Sequence, residues 1–164
     1  MIEYNVNRQV VAVFRSLGWG VSMANTKSIG IAYLDQNIIG ADIVQATSIY
    51  ATTQLGYTNG AFSTATQTGS KASAVTINTS AGQITMSNAQ LAPAASVAFT
   101  VNCSSVSKYD TIVINIASGG TLYAYLIGVV AVADGSFALN LKNVSNNAYS
   151  EALVLNYSVL HVAP

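Results

Sequence analysis

Asp134-Gly135 stands between two apolar runs, residues 122–133 and 136–143, and this dipeptide limits the fold more than any other feature of the chain. A two-residue hairpin turn of the primed type needs positive φ, which Asp-Gly supplies with little strain. The two runs therefore read as antiparallel strands joined by a tight turn. The same grammar repeats on either side. Strands are predicted over residues 74–78, 83–87, 96–102, 111–117, 122–133, 136–143 and 150–161, divided by Ser80-Ala81-Gly82, Gly119-Gly120, Asp134-Gly135 and Asn146-Asn147. Short strands at this spacing predict an all-β fold, an antiparallel β-sandwich or barrel.

One rival must be removed. Residues 111–133 carry no charge and are long enough to cross a bilayer as a helix. Asn115 lies inside that stretch, however, and Ser118-Gly119-Gly120-Thr121 cuts it into two β-branched and aromatic runs, which reads as strand, turn, strand. No membrane insertion is expected. The chain as a whole is poor in charge, at 7% against roughly 25% in ordinary soluble domains. Six basic residues balance six acidic ones, so there is no electrostatic footprint for nucleic acid. The single cysteine, Cys103, reads as a small buried core residue.

Three segments are distinguished. Residues 1–22 contain both arginines, Arg8 and Arg15, and place Val10, Val13, Phe14 and Leu17 at helical spacing, but Met23 offers an alternative start that would make them an upstream extension. Residues 23–70 read as a polar arm with first strands, including an extended run at 49–55 and a turn at Tyr57-Thr58-Asn59-Gly60. Residues 71–164 form the main sandwich, with at most a helical turn at 87–91.

Several strands are apolar on both faces. In residues 122–132, Tyr123, Tyr125, Ile127 and Val129 alternate with Leu122, Ala124, Leu126, Val130 and Val132. The final strand sets Leu153, Leu155, Tyr157 and Val159 against Ala152, Val154 and Leu160. A sandwich strand needs only one buried face, so a second copy is expected to cover the other, with a trimer in view and Ala152, Val154 and Leu160 as the first interface candidates.

Chemistry is harder to find in the sequence. His161 is the only histidine and stands beside strand residues near the end of the chain, where a structural or exposed role is expected. Asp35, Asp42, Asp110, Asp134 and Glu151 are scattered singly, and Asp110 and Asp134 suit turns. Asp35 and Asp42 lack the spacing of a calcium loop, and Gly18-Trp19-Gly20 is not a phosphate loop. No catalytic residue, metal or cofactor is therefore expected, and the protein reads as a non-enzyme. With nine tyrosines against one tryptophan, recognition is assigned to the loop carrying Tyr57, Asn59 and Phe62, whereas Tyr125 and Tyr157 read as core.

The run Ser28-Ile29-Gly30-Ile31-Ala32-Tyr33-Leu34-Asp35-Gln36, then Ile49-Tyr50-Ala51-Thr52-Thr53-Gln54-Leu55-Gly56-Tyr57, Gly82-Gln83-Ile84-Thr85-Met86, Ser136-Phe137 and Ser150-Glu151-Ala152-Leu153-Val154-Leu155-Asn156 resembles a family of small virion proteins of tailed bacteriophages. The resemblance spans Met23 to the end. It implies a jelly-roll sandwich, commonly trimeric, located in the virion and attached to the major capsid protein or another virion protein. Two roles follow from it: a decoration or cement protein, or a fibre knob that touches host glycan. A bacterial carbohydrate-binding module is the alternative from another class.

Overall fold

The computed structural model describes Ala51 and residues 54–162, within one compact unit, Tyr50–Pro164. The readings made for residues 1–50, including the helix at 10–17, the start at Met23 and the acids Asp35 and Asp42, lie outside the described residues, as does most of the run 49–55.

A single 3-10 turn, Asn59–Ala61, precedes eight strands: β1 Phe62–Thr66, β2 Val75–Thr76, β3 Ala81–Thr85, β4 Ser96–Asn102, β5 Thr111–Ser118, β6 Tyr125–Ala133, β7 Ser136–Asn143 and β8 Val154–Leu160. They form two four-stranded sheets, β1-β3-β8-β5 and β2-β4-β7-β6, so the fold is an all-β sandwich. Its core lies between the sheets. Phe137 of β7 meets Tyr157 of β8 across the gap with ring centroids 5.3 Å apart, and Leu139, Leu141, Leu155, Val101 and Ile84 are fully buried around them. Alternation is cleanest in β7, where Phe137, Leu139 and Leu141 point in while Ser136, Ala138 and Asn140 point out.

Most pairings are antiparallel, but the edge pairs β1–β3 and β2–β4 run parallel. A parallel pair needs a crossover, and here a strand of the opposite sheet serves: β2 lies between β1 and β3 in sequence, and β3 between β2 and β4. The β6–β7 hairpin does turn at Asp134-Gly135, but only Gly135 has a positive φ, 80°; Asp134 does not, so the turn is not of the primed type expected from the sequence, which needs positive φ at its first central residue.

Four further sequence expectations are corrected. Ala81 and Gly82 are not turn residues but open β3. Gly82 is glycine because a Cβ there would lie 2.6 Å from the Tyr157 ring and 2.9 Å from the Ser63 carbonyl. The strand expected from residue 122 starts at Tyr125. Glu151 takes the Thr121 N–H and hydroxyl, the Ala124 N–H closes back on the Thr121 carbonyl, and Tyr123 sits at φ 61° with its side chain out in solvent. Finally, a bulge between Val129 and Ala131 makes Val130 the extra residue. Val132 is thereby returned to the inner face opposite Phe137 instead of sharing the outer face with Leu126. Residues 87–91 form no helix.

Candidate functional site

The outer face of the first sheet is built from uncharged residues in register. Thr64, Gln83, Asn156 and Asn115 form one row across all four strands, with the Gln83 amide donating to Asn156 Oδ1 at 2.9 Å. Phe62, Ala81, Ser158 and Val113 form the adjacent row. Over that second row the chain preceding β1 folds back, and a groove of ≈ 430 Å³ opens between Tyr57, Asn59 and Phe62 on one side and Ala81, Ser158 and Leu160 on the other. The three recognition residues expected from sequence therefore share one groove, and Leu160, expected at an interface, lies in it too. Val154 projects from the same outer face, but six residues away along β8, about 20 Å at the usual strand rise. Ala152 precedes that strand, with its carbonyl packed against Gly119. The three proposed interface residues thus do not form one patch.

Beside the groove, at the end of β8, sits a cluster that sequence reading did not assemble. His161 Nδ1 lies 2.9 Å from Asp110 Oδ2, and His161 Nε2 lies 2.9 Å from Ser80 Oγ. The partners stand 51 and 81 residues away in sequence, so no local pattern could have joined them. Asp110 accepts further bonds from the Ser107 and Val162 N–H groups. These donors, the Ser107 N–H first, hold its carboxyl below the ordinary carboxylate range. Its side chain is only 1% exposed, whereas that of His161 is 44% exposed. Tyr57 packs edge-on against the His161 ring at 6.5 Å and donates its hydroxyl to the Val159 carbonyl, tying groove and cluster together.

Ser80 is fixed from several directions. Its carbonyl accepts the Val159 N–H at 2.7 Å. The neighbouring Thr79 carbonyl accepts from the Tyr157 hydroxyl at 2.9 Å and the Cys103 thiol at 3.4 Å, and Asn78 Oδ1 accepts the Ser104 N–H. Burial pushes the Tyr157 phenol up to about 12, so it remains a donor at neutral pH. The turn bearing Ser80 is in this way anchored to β8 and to the end of β4.

A second polar cluster lies before β8. The buried Lys71 ammonium donates to the Ser87 and Glu151 carbonyls at 2.6 and 2.5 Å. Burial lowers its pKa, against an opposing pull from the Glu151 charge. Gln67 donates to the Lys71 and Ser73 carbonyls and accepts the Ser87 N–H. The Glu151 carboxylate receives Thr121 and the Tyr125 hydroxyl, and the Thr121 hydroxyl above all holds its pKa low. Every polar atom here is spent internally, which makes this cluster a staple and not a site. Among the described residues no group of three or more His, Cys, Asp or Glu could hold a metal ion. Comparison with protein-family models, curated proteins and solved structures found no match.

Proposed function

We propose that the chain is a structural protein of a tailed-phage virion, a decoration or cement subunit that works through its surfaces and associates with copies of itself. The observation that carries this reading is the neutrality of the sandwich: Lys142 is the only charged residue in any of the eight strands. Outward positions carry Ser, Thr, Asn and Ala, interrupted by exposed Val113, Leu126, Val130 and Leu160. A free monomer would have little charge to keep it apart from its neighbours, and burial of each large aliphatic side chain in a contact is worth about 1.5–3 kcal/mol.

Mass spectrometry of purified particles tests the role. Copy numbers matching the major capsid protein support decoration, and tens of copies point to a fibre. Light scattering at micromolar concentration tests self-association: a stable species near 17 kDa would end that part of the reading. Replacing Val154 by Glu is expected to weaken assembly more than a change in the Tyr57 loop does.

The groove favours a second reading, contact with a neutral glycan. Tyr57 and Phe62 offer aromatic faces, and the amide row of Gln83, Asn156 and Asn115 offers paired donors and acceptors without charge. Titration with uncharged oligosaccharides, comparing the parent with Tyr57→Ala, tests it. Binding unchanged in the variant would remove the groove from consideration.

A further inference from the structure

We propose that Ser80, His161 and Asp110 form a nucleophilic centre that accepts an acyl group from a carboxylic ester. A hydroxyl becomes a nucleophile at neutral pH when a base lies within hydrogen-bond reach and a third group orients that base, and such a constellation is recognised by its geometry on any fold. Here both links are 2.9 Å. An ionised Asp110 can only accept, so it fixes the imidazole proton on Nδ1 and leaves Nε2 to take the proton of Ser80. Among the described residues His161 is the one hydrogen-bond partner of Ser80 Oγ, and the Ser80 proton is directed to it.

The cluster is also preorganised. Two bonds lock the three segments together: the Ser80 carbonyl takes the Val159 N–H, and Asp110 Oδ1 takes the N–H of Val162, the residue after His161, while the Ser107 N–H holds Asp110 within its own turn. Asp110 is sealed from water while His161 is open, which is the order in which an orienting group and a base must be buried if a substrate is to reach the base. The adjoining groove, floored by Ala81 next to Ser80, offers room for the remainder of an uncharged ester.

The step balances without a further reactant except water. Ser80 Oγ adds to the ester carbonyl as its proton passes to His161 Nε2. The carbon–oxygen bond to the alcohol then breaks, and the alkoxide leaves with that proton, giving an acyl-Ser80. Water, deprotonated by the same nitrogen, adds to the acyl carbon; the bond from that carbon to Ser80 Oγ breaks, Oγ takes the proton back from Nε2, and the carboxylic acid is released. Ser80 and His161 are the catalytic residues. Asp110 is a positioning residue.

The experiment uses the full chain with two probes, a fluorophosphonate and p-nitrophenyl acetate. Peptide mapping is expected to find the phosphonyl group on Ser80 of the folded protein and not of the guanidine-unfolded one. In Ser80→Ala, which leaves the His161–Asp110 pair intact, ester turnover is expected to fall by about a hundredfold, the low end of what a positioned base contributes. Asp110→Asn should lower the labelling rate and move its pH profile, whereas a purely structural loss would lower the melting temperature and leave the profile of the folded fraction in place. Absence of label, label spread over other serines, equal labelling when unfolded, or full ester turnover in a folded Ser80→Ala would each overturn the proposal. None of these outcomes bears on virion attachment, which particle mass spectrometry reads separately.

Discussion

Ahead of β8, Glu151 and Lys71 turn their polar atoms inward to Thr121, Tyr125, Ser87 and the chain itself. Past its other end, Asp110 is equally enclosed, but His161 presents nearly half of its surface to water. Both clusters fasten the same strand to loops of distant sequence. They differ in what remains once the fastening is done. At the first, the ammonium is held by two carbonyls and the carboxylate by Thr121 and Tyr125. At the second, an exposed imidazole faces a serine whose hydroxyl bonds to nothing else among the described residues. A polar cluster whose bonds are all internal can only stabilise, while one that ends on an accessible titratable group can also react. Burial, and not residue type, separates the two roles.

The contrast is broken most severely at Lys71. Lys71→Met keeps the buried stem but leaves the Ser87 and Glu151 carbonyls without their donor, and the expected loss is about 2–4 kcal/mol. In a domain of this size that lowers the melting temperature by about 10 °C or more, measurable by circular dichroism. Should Lys71→Met melt with the parent, the first cluster is not a staple.

Glu151→Ala comes next. It deprives the Thr121 N–H and hydroxyl and the Tyr125 hydroxyl of their acceptor, but water can replace it at the exposed Thr121 groups, and a loss of about 0.5–1.5 kcal/mol is expected. Because this carboxylate also pins the turn that carries Leu122 and Tyr123, hydrogen exchange should accelerate at residues 121–124 before it does so in β7. Uniform acceleration would argue that Glu151 acts on the core as a whole.

Acid sharpens the comparison, since each cluster owns one carboxylate with a depressed pKa, Glu151 held chiefly by the Thr121 hydroxyl and Asp110 by the Ser107 N–H. A lowered folded-state pKa gives stability that is complete above the unfolded values, about 4.3 for Glu and 3.9 for Asp, and that is lost as pH falls through the lower folded values. On account of these two carboxylates, melting temperature should hold between about pH 5 and neutrality and fall below about pH 4. The fall should be shallower in Asp110→Asn and in Glu151→Gln. A parent curve without that acid limb would show that neither carboxylate is better bound in the folded state.

The smallest effect is expected at His161. Its ring is exposed, and loss of a single hydrogen bond costs about 0.5–1.5 kcal/mol, so His161→Ala should melt within several degrees of the parent. The same variant should lose phosphonyl labelling of Ser80. A stability change as large as that of Lys71→Met would make the two ends of β8 alike.

Much of the architecture was legible in the sequence because it rests on local patterns. The predicted strands at 96–102 and 136–143 coincide with β4 and β7, and the chain reverses at Asp134-Gly135 as expected, although with positive φ at Gly135 alone and so not in a primed turn. Reading failed where distant residues decide. Gly82 looked like turn punctuation, but its lack of a side chain answers the Tyr157 ring of another strand. Leu122 and Tyr123 have strand composition, yet Glu151 captures Thr121 and ends the extension. Parallel pairing of the edge strands leaves no trace in alternation, because a strand's period is the same in either direction. The groove was half visible: Tyr57, Asn59 and Phe62 were singled out by residue type, but Ala81 and Ser158 enter it only through sheet register. The Ser80 cluster was invisible for the same reason, its members lying far apart along the chain.

The place of β8 has a kinetic consequence. β3 and β5 are both neighbours of β8 and not of each other, so the first sheet cannot close until that strand joins it. β3 is encoded five strands earlier, and during synthesis it and β5 must remain as open ladders while the β6–β7 hairpin, a local pairing, is free to form. Long-range closure of this kind makes folding slow, in the millisecond-to-second range of β-sandwiches, and exposes strand edges to other nascent chains meanwhile. A chain made in many copies at once would then depend on β8 arriving before a neighbour's strand takes its place.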